Sequence, residues 1–367
     1  MSAQIMQKWS RALTSYSVDV QPGQTVAIQG GTASEPLLRS LYKEVVQRGG
    51  LPVMLPLLSG LNADLLKIGN DQQLEYITPV EKFVREKADV IIQIIAETNT
   101  RSLAGIDLSR QAHFQRARTD LFKTFMEREG ANKVQWTLTL FPTDAHAQDA
   151  EMSTADYAEF VFRACKLHED DPVAAWESLA TEQQRLIDWL SGGKEIRLSG
   201  PDTDLTLSVE DRKWINADGR KNFPDGEIFT APVEHSANGH ITYSFPAVYA
   251  GQEVTGVRLQ FENGKVVSAS ASKGEDLLLK QLDIDEGARY LGEFAIGTNF
   301  DIQDFTKQIL FDEKIGGTVH LALGETYLET GGTNTSAIHW DMICDLRTGG
   351  RLEVDGKPFL VDGKIVV

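Results

Sequence analysis

Ala88-Asp-Val-Ile-Ile-Gln-Ile-Ile-Ala96 decides how the first half of this chain folds. The run is apolar almost throughout and lacks the polar alternation of a strand with one wet face. A short run of this kind reads as a strand covered on both faces, the habit of parallel sheets flanked by helices. Working outward, three comparable segments precede or follow it: Thr25-Val-Ala-Ile-Gln29, Leu51-Pro-Val-Met-Leu55 and Trp136-Thr-Leu-Thr-Leu140. Helical patterns lie between them. Met1 to Ser17 places Ile5, Trp9 and Leu13 on one helical face, and Thr32 and Ser34 offer caps for a helix running to Val46. Further helices are expected near 71–87, 109–129, 154–165 and 172–190. Strands alternating with helices predict an N-terminal α/β domain with a parallel sheet. Gly30-Gly31 follows the first strand, yet neither GxGxxG nor GxxxxGK[ST] is present, so tight-turn glycines are expected rather than a phosphate loop.

Ser191-Gly-Gly-Lys194 punctuates the chain, and the expected division is into residues 1–192 and 193–367. Beyond this point short strand-like segments dominate, among them EIRLSG at 195–200 and the long stretch 253–272, with one helix expected near 274–284. Asn263-Gly264 sits between two alternating runs, a strong hairpin signal. The tail repeats Val-Asp-Gly-Lys at 354–357 and 361–364, which predicts two small hairpins. The second half therefore reads as a β-rich α+β domain.

The chemistry concentrates in that half. Residues 318–346 contain His320, Tyr327 and the triplet His339-Trp340-Asp341. Imidazoles and a carboxylate are ligands for a first-row divalent cation, and a phenol can donate a hydrogen bond beside it. On a strand, positions i and i+2 share a face, so His339 and Asp341 reach one ion while Trp340 packs behind them. Two upstream carboxylates add to the inventory. Glu227 follows a Pro-Asp-Gly turn and heads a short β run. Glu293 interrupts the apolar segment LGEFAIG. A carboxylate in a buried strand is costly unless it is paired or bound to a metal. The competing readings are a solvated turn for Glu227 and an edge-strand charge facing water for Glu293.

The motifs NFPDGEIFTAP, LGEFAIGTN, LFDEKIGGTVHLALGETY and SAIHWDM, in that order, resemble those of the M29 metallopeptidases, a group of two-metal aminopeptidases. The likeness extends to the opening strand and so spans nearly the whole chain. It implies a metal-binding catalytic domain whose ligands are Glu227, Glu293, Glu313, His320, His339 and Asp341, with Glu293 bridging two divalent ions of zinc, cobalt or manganese. It implies Tyr327 as the catalytic tyrosine, with Glu227 and Glu293 also taking part in catalysis. Glu227 or Glu313 then shuttles a proton to the leaving amine. The stretch from Glu313 to His320 is longer than the commoner pattern, and Gly316-Gly317 reads as a subfamily insert. The resemblance also implies short peptide substrates and a homodimer.

Composition narrows the field. At 367 residues the chain exceeds the usual size of a single core, which favours two domains. A net charge of −17 and the absence of any basic stripe exclude a nucleic-acid surface. Cys165 and Cys344 form no CxxC pair, and so sparse a pair of cysteines fits a reducing, cytoplasmic setting. No apolar segment approaches a membrane span, and residues 1–18 lack a signal-peptide core. His235 and His240 are expected as exposed loop residues. Glu325 is expected either to order Tyr327 or to face solvent. His113, His146 and His168 have no partner pattern. Two other function classes compete with the peptidase: a mononuclear Fe(II) ring-cleaving dioxygenase on a related scaffold, and a noncatalytic binding protein. The dioxygenase needs only two histidines and one carboxylate. The binding protein gives no reason for so many convergent polar groups on strands.

Overall fold

The computed structural model describes residues 2–249 and 251–367. By contacts it divides into two compact units, Met1–Ala175 with Gly219–Pro224, and Trp176–Asp218 with Asp225–Val367.

The first unit is built on five parallel strands in the order Leu51–Leu57, Thr25–Gly31, Val90–Ile95, Gln135–Leu140, Asn222–Phe223. Val90, Ile91, Ile92 and Ile94 are buried, as their nearly continuous apolar run requires. The fifth strand is only two residues long and comes from far along the chain, so periodicity gave no sign of it. Two expected helices are each broken. The 71–87 segment becomes Asp71–Glu75 and Pro79–Glu86, because Pro79 cannot donate to a preceding turn and Thr78 closes a capping box in front of it. The 109–129 segment becomes Leu108–Ala117 and Thr119–Gly130. Arg118 lies at that break, and its guanidinium donates to the carbonyls of Leu74, Tyr76 and Phe114. Gly30 and Gly31 lie within the strand, not in a tight turn. A Cβ on Gly31 would stand 2.7 Å from the Ala96 carbonyl oxygen, so close strand packing is what excludes a side chain there.

The second unit holds two larger sheets. One has eight antiparallel strands and includes both Val-Asp-Gly-Lys turns and the Asn263-Gly264 hairpin. Asn263, Gly264, Asp355, Gly356, Asp362 and Gly363 all have positive φ, the backbone that two-residue hairpins require. The other has five strands in the order His339–Asp345, Thr318–Gly324, Leu291–Gly297, Glu227–Thr230, Ile215–Ala217, all antiparallel.

The two faces of this five-stranded sheet differ in polarity. Ile228, Phe294, Ile296, Val319, Leu321, Leu323, Trp340, Met342 and Cys344 point into one hydrophobic core. Each such large side chain contributes about 1.5–3 kcal/mol on burial. Because side chains alternate, the residues between them must face the other way. They include Glu227, Glu293, His320, His339 and Asp341, with Ala295, Gly297, Ala322 and Gly324 between them and the apolar Phe229 and Ile343 on the same face. A one-residue slip of any of the four strands that carry these groups would bury charge in the core, so the core fixes the polar face as firmly as its own.

Candidate metal centre

Strand register sets the first distances. Ala295 is paired with His320, Ala322 with both Glu293 and Asp341, and Gly324 with His339. A register shift between Leu291 and Glu293 falls next to the central carboxylate. Bulges of this kind re-aim a side chain. Glu293 is 4 % exposed on the central strand, so the reading of it as a water-facing edge residue is ruled out. Its Oε1 lies 3.5 Å from His320 Nε2 and its Oε2 lies 3.2 Å from His339 Nε2. One oxygen per imidazole is the geometry of a carboxylate spanning two positions. Glu227 Oε2 is 3.3 Å from His320 Nε2, and Asp341 Oδ1 is 3.4 Å from His339 Nε2. Glu227 is buried too, not a solvated turn residue. Three overlapping groups result: Glu227–Glu293–His320, Glu293–His339–Asp341 and Glu313–His320–Asp341, with donor atoms within 4.8 Å of one another in each. The structure thus brings together all six residues singled out as ligands.

The electrostatics follow from this crowding. Burial opposes charge on His339, but Asp341 and Glu293 outweigh it and push the imidazole up to about 12. Burial opposes charge on His320 as well, yet Glu227 and Glu293 raise it to about 9. Asp341 resists its own burial because His339 stands beside it, and it is held down at about 2. Glu313 is pushed up to about 8 by burial, against the pull of Lys314. Protons on the two imidazoles therefore occupy positions that a cation can take.

The donor set fits a divalent ion on independent grounds. Glu227 Oε2 and Asp341 Oδ1 are buried acceptors without a hydrogen-bond partner among the described residues. Native proteins rarely leave such atoms unmatched. His339 Nδ1 faces the Glu325 carbonyl oxygen at 2.8 Å, which accepts only, so this nitrogen carries the proton and Nε2 is left for an ion. Glu325 thus acts through its backbone, while its side chain accepts from Ser336 N. Mixed carboxylate and imidazole donors suit zinc and its neighbours.

Several supporting residues escaped the sequence reading. Gln183, fully buried on the Pro172–Leu190 helix, donates to the backbone carbonyls of Glu227 and Ala217 and pins the Glu227 strand. Lys314 is fully buried and bonds Glu227 and Glu313. Asp225 is buried beside it and pushed up to about 7 by burial. The loop carrying Glu313 and Lys314 is tied to the end of the Leu291–Gly297 strand: Asn299 N donates to the Lys314 carbonyl, Gly316 N to Asn299, and Gly317 N to Gly297. Gly316 leaves no room for a Cβ against Phe300, and Gly317 has a φ of +89°. These two glycines are what let the chain make this tight loop. The one available signal was Lys314 itself, a cation inside the mainly apolar run from Ile309 to Leu323.

Tyr327 follows the Thr318–Gly324 strand and stands at the rim, 48 % exposed. Its ring is edge-on to His339 with centroids 5.1 Å apart, and it lies 5.5 Å from Phe229. Burial, then Glu293, raises its phenol, so it remains a neutral donor at physiological pH. His235 is exposed and packs edge-on to Tyr290, and His240 lies in the eight-stranded sheet. His113, His146 and His168 belong to the first unit, where each meets a glutamate: Glu75, Glu97 and Glu169.

Comparison with known proteins points the same way. The family described as thermophilic metalloprotease (M29) matches residues 2–364. Aminopeptidase 2 of Geobacillus stearothermophilus is 27 % identical over 414 aligned positions, covering 96 % of each chain. Aminopeptidase T of Thermus aquaticus is 28 % identical over 300 positions, covering 73 % of this chain and 72 % of that protein. Among solved structures, wild-type AmpT from Thermus thermophilus superposes with a TM-score of 0.86 at 24 % identity over 99 % of both chains. A 2,5-dihydroxypyridine dioxygenase from Pseudomonas putida KT2440 superposes at 0.61 with 13 % identity, over 100 % of this chain and 98 % of that one. At these identities the two structures speak for the fold alone.

Proposed function

This chain belongs to the M29 metallopeptidases, and on that premise we propose that it is a metal-dependent aminopeptidase releasing N-terminal residues from short peptides. The observation that carries the reading is Glu293, which offers one oxygen to each of two imidazole-bearing corners. Glu227, Glu293 and His320 form one proposed ion site, and Glu293, His339 and Asp341 the other. Glu313 joins through its approach to His320 and Asp341. Divalent ions bound there supply Lewis-acid chemistry, polarising a carbonyl and making water acidic. The protein's own groups do the rest. The Tyr327 O–H, kept protonated, donates to the oxyanion that develops at the scissile carbonyl. Burial raises the carboxyls of both Glu227 and Glu313, so either suits the role of carrying a proton to the leaving amine. The buried strands around the cluster keep bulk water from screening these groups.

The dioxygenase alternative uses one iron and three ligands. Glu227, Glu293, Glu313 and Asp341 supply more carboxylates than that requires, which favours the hydrolytic, two-ion reading. Zinc, cobalt or manganese as the ion, a homodimeric assembly and a cytoplasmic location belong to the same proposal. Both cysteines are buried thiols, which suits a reducing compartment. No helix among the described residues is long and apolar enough to cross a membrane.

Elemental analysis paired with an aminoacyl p-nitroanilide panel, after addition of each cation, tests the reading. Two ions per chain with turnover is the expected result. One iron per chain with ring cleavage of a dihydroxypyridine would replace it, and no turnover with any metal would favour a binding role.

A further inference from the structure

Lys314 is 0 % exposed in a cluster of acids. Its Nζ lies 3.1 Å from Glu227 Oε1 and 3.8 Å from Asp225 Oδ1, and it bonds Glu313 Oε1. A lysine is almost never fully buried unless its charge is answered, and stripping its water is costly. Two features give the placement a purpose. The first is how it divides the carboxylates. Glu227 faces the ammonium with Oε1 and His320 with Oε2, so only Oε2 is free for an ion. Glu313 likewise has one oxygen bound to the ammonium. The second is charge. Asp225, Glu227, Glu293, Glu313 and Asp341 bring five negative charges into one buried region. Two divalent ions supply four positive charges, and Lys314 supplies the fifth.

We infer that Lys314 is a resident cation of the metal centre, a positioning residue that leaves Glu227 and Glu313 one oxygen each for an ion and holds the acidic cluster together before ions arrive. The charge count rests on the two-ion reading above; the contacts of Lys314 do not. The backbone supports the assignment. Lys314 N donates to Phe311, the Lys314 carbonyl accepts from Asn299, and Ile315 bridges to Asn299, so the ammonium is delivered on a loop fastened at both ends.

The test compares melting temperatures of metal-stripped and metal-loaded full-length protein. Removing one partner of a buried ion pair is strongly destabilising. In Lys314→Met the stripped form is expected to fall on the order of 5–10 °C further than the loaded form does, each measured against its wild-type counterpart. Divalent ions can answer the exposed carboxylates in the loaded form but nothing can in the stripped one. Asp225→Asn combined with Lys314→Met removes a matching negative charge and should close at least half of that gap. In Lys314→Ala, added ethylammonium should close it too, whereas tetramethylammonium, which has no N–H to donate, should not. Equal losses in stripped and loaded protein would reduce Lys314 to a packing residue and overturn the inference, as would no loss in either. If Lys314→Met gives no folded protein, the Lys314→Ala variant refolded with and without ethylammonium decides, and no rescue overturns the inference. A separate metal titration of the wild type reads the other premise: one ion per chain ends the two-ion reading while the melting gap still reports on Lys314.

Discussion

Replacing Tyr327 by Phe isolates one atom of the proposed machinery. The ring contacts to His339 and Phe229 are made by carbon and survive the change. The side chain is half-exposed. The folded state therefore loses little, within roughly 0.5 kcal/mol, and the melting temperature should hold to about 2 °C. Metal content should be that of the wild type. The loss falls on the transition state, where one donor to the developing oxyanion disappears. Deleting such a donor lowers kcat by about 10²–10³, or roughly 2.7–4 kcal/mol. KM should change little, since a neutral carbonyl gains much less than an oxyanion from the same hydrogen bond. Steady-state kinetics on an alanyl or leucyl p-nitroanilide, with metal content measured on the same sample, is the assay. A variant with full metal and full kcat would refute the donor role. A variant that lost metal instead would show that the phenol supports the ions rather than the reaction.

Other perturbations probe the ligands and the frame. Glu293→Gln keeps the shape of the central side chain but removes the charge shared by two imidazoles; chelator competition should show both ions weakened by at least about tenfold, not one alone. His320 and His339 carry protons in the metal-free protein at pH 7, given values of about 9 and about 12, so calorimetry in buffers of different ionisation enthalpy should find protons released as metal binds. The same groups set a pH dependence for the stripped protein. His320 is raised from 6.5 to about 9, Asp225 from 3.8 to about 7 and Glu313 from 4.5 to about 8, so each stabilises fully below its unfolded value and loses that contribution as pH rises through the folded one. Metal-free protein should therefore melt progressively lower between pH 6 and pH 9, and a flat profile there would contradict the buried cluster. Gly324 has a φ of +99°, and a Cβ there would stand 2.1 Å from the Ile338 carbonyl oxygen. Gly324→Ala should cost about 2–4 kcal/mol in chemical denaturation and tilt the His339 strand away from its neighbour.

Much of this was legible before any coordinates, because it depends on neighbours in the chain. The apolar run at 88–96 has only one comfortable environment, between two layers of helix. The Val-Asp-Gly-Lys repeats need the positive φ that hairpins provide. His339 and Asp341 share a face because side chains alternate, and Trp340 must then point into the core, as it does. A carboxylate at Glu293 stood out because the residues around it were apolar. The tertiary structure alone decided which of these local features meet. His235 is closer to Glu227 in sequence than His320 is, yet it faces Tyr290 while His320 joins the cluster. The pairing of the Leu291–Gly297 strand with both neighbours makes that choice, and the burial of the opposite face holds it. The two-residue strand at Asn222–Phe223 has no period to detect. Lys314 reads as an ordinary surface lysine until a loop folds over the sheet and sets it among acids distant in the chain. Periodicity is a property of a few consecutive residues; charge balance in a buried site is a sum over segments that only the packed core brings into range.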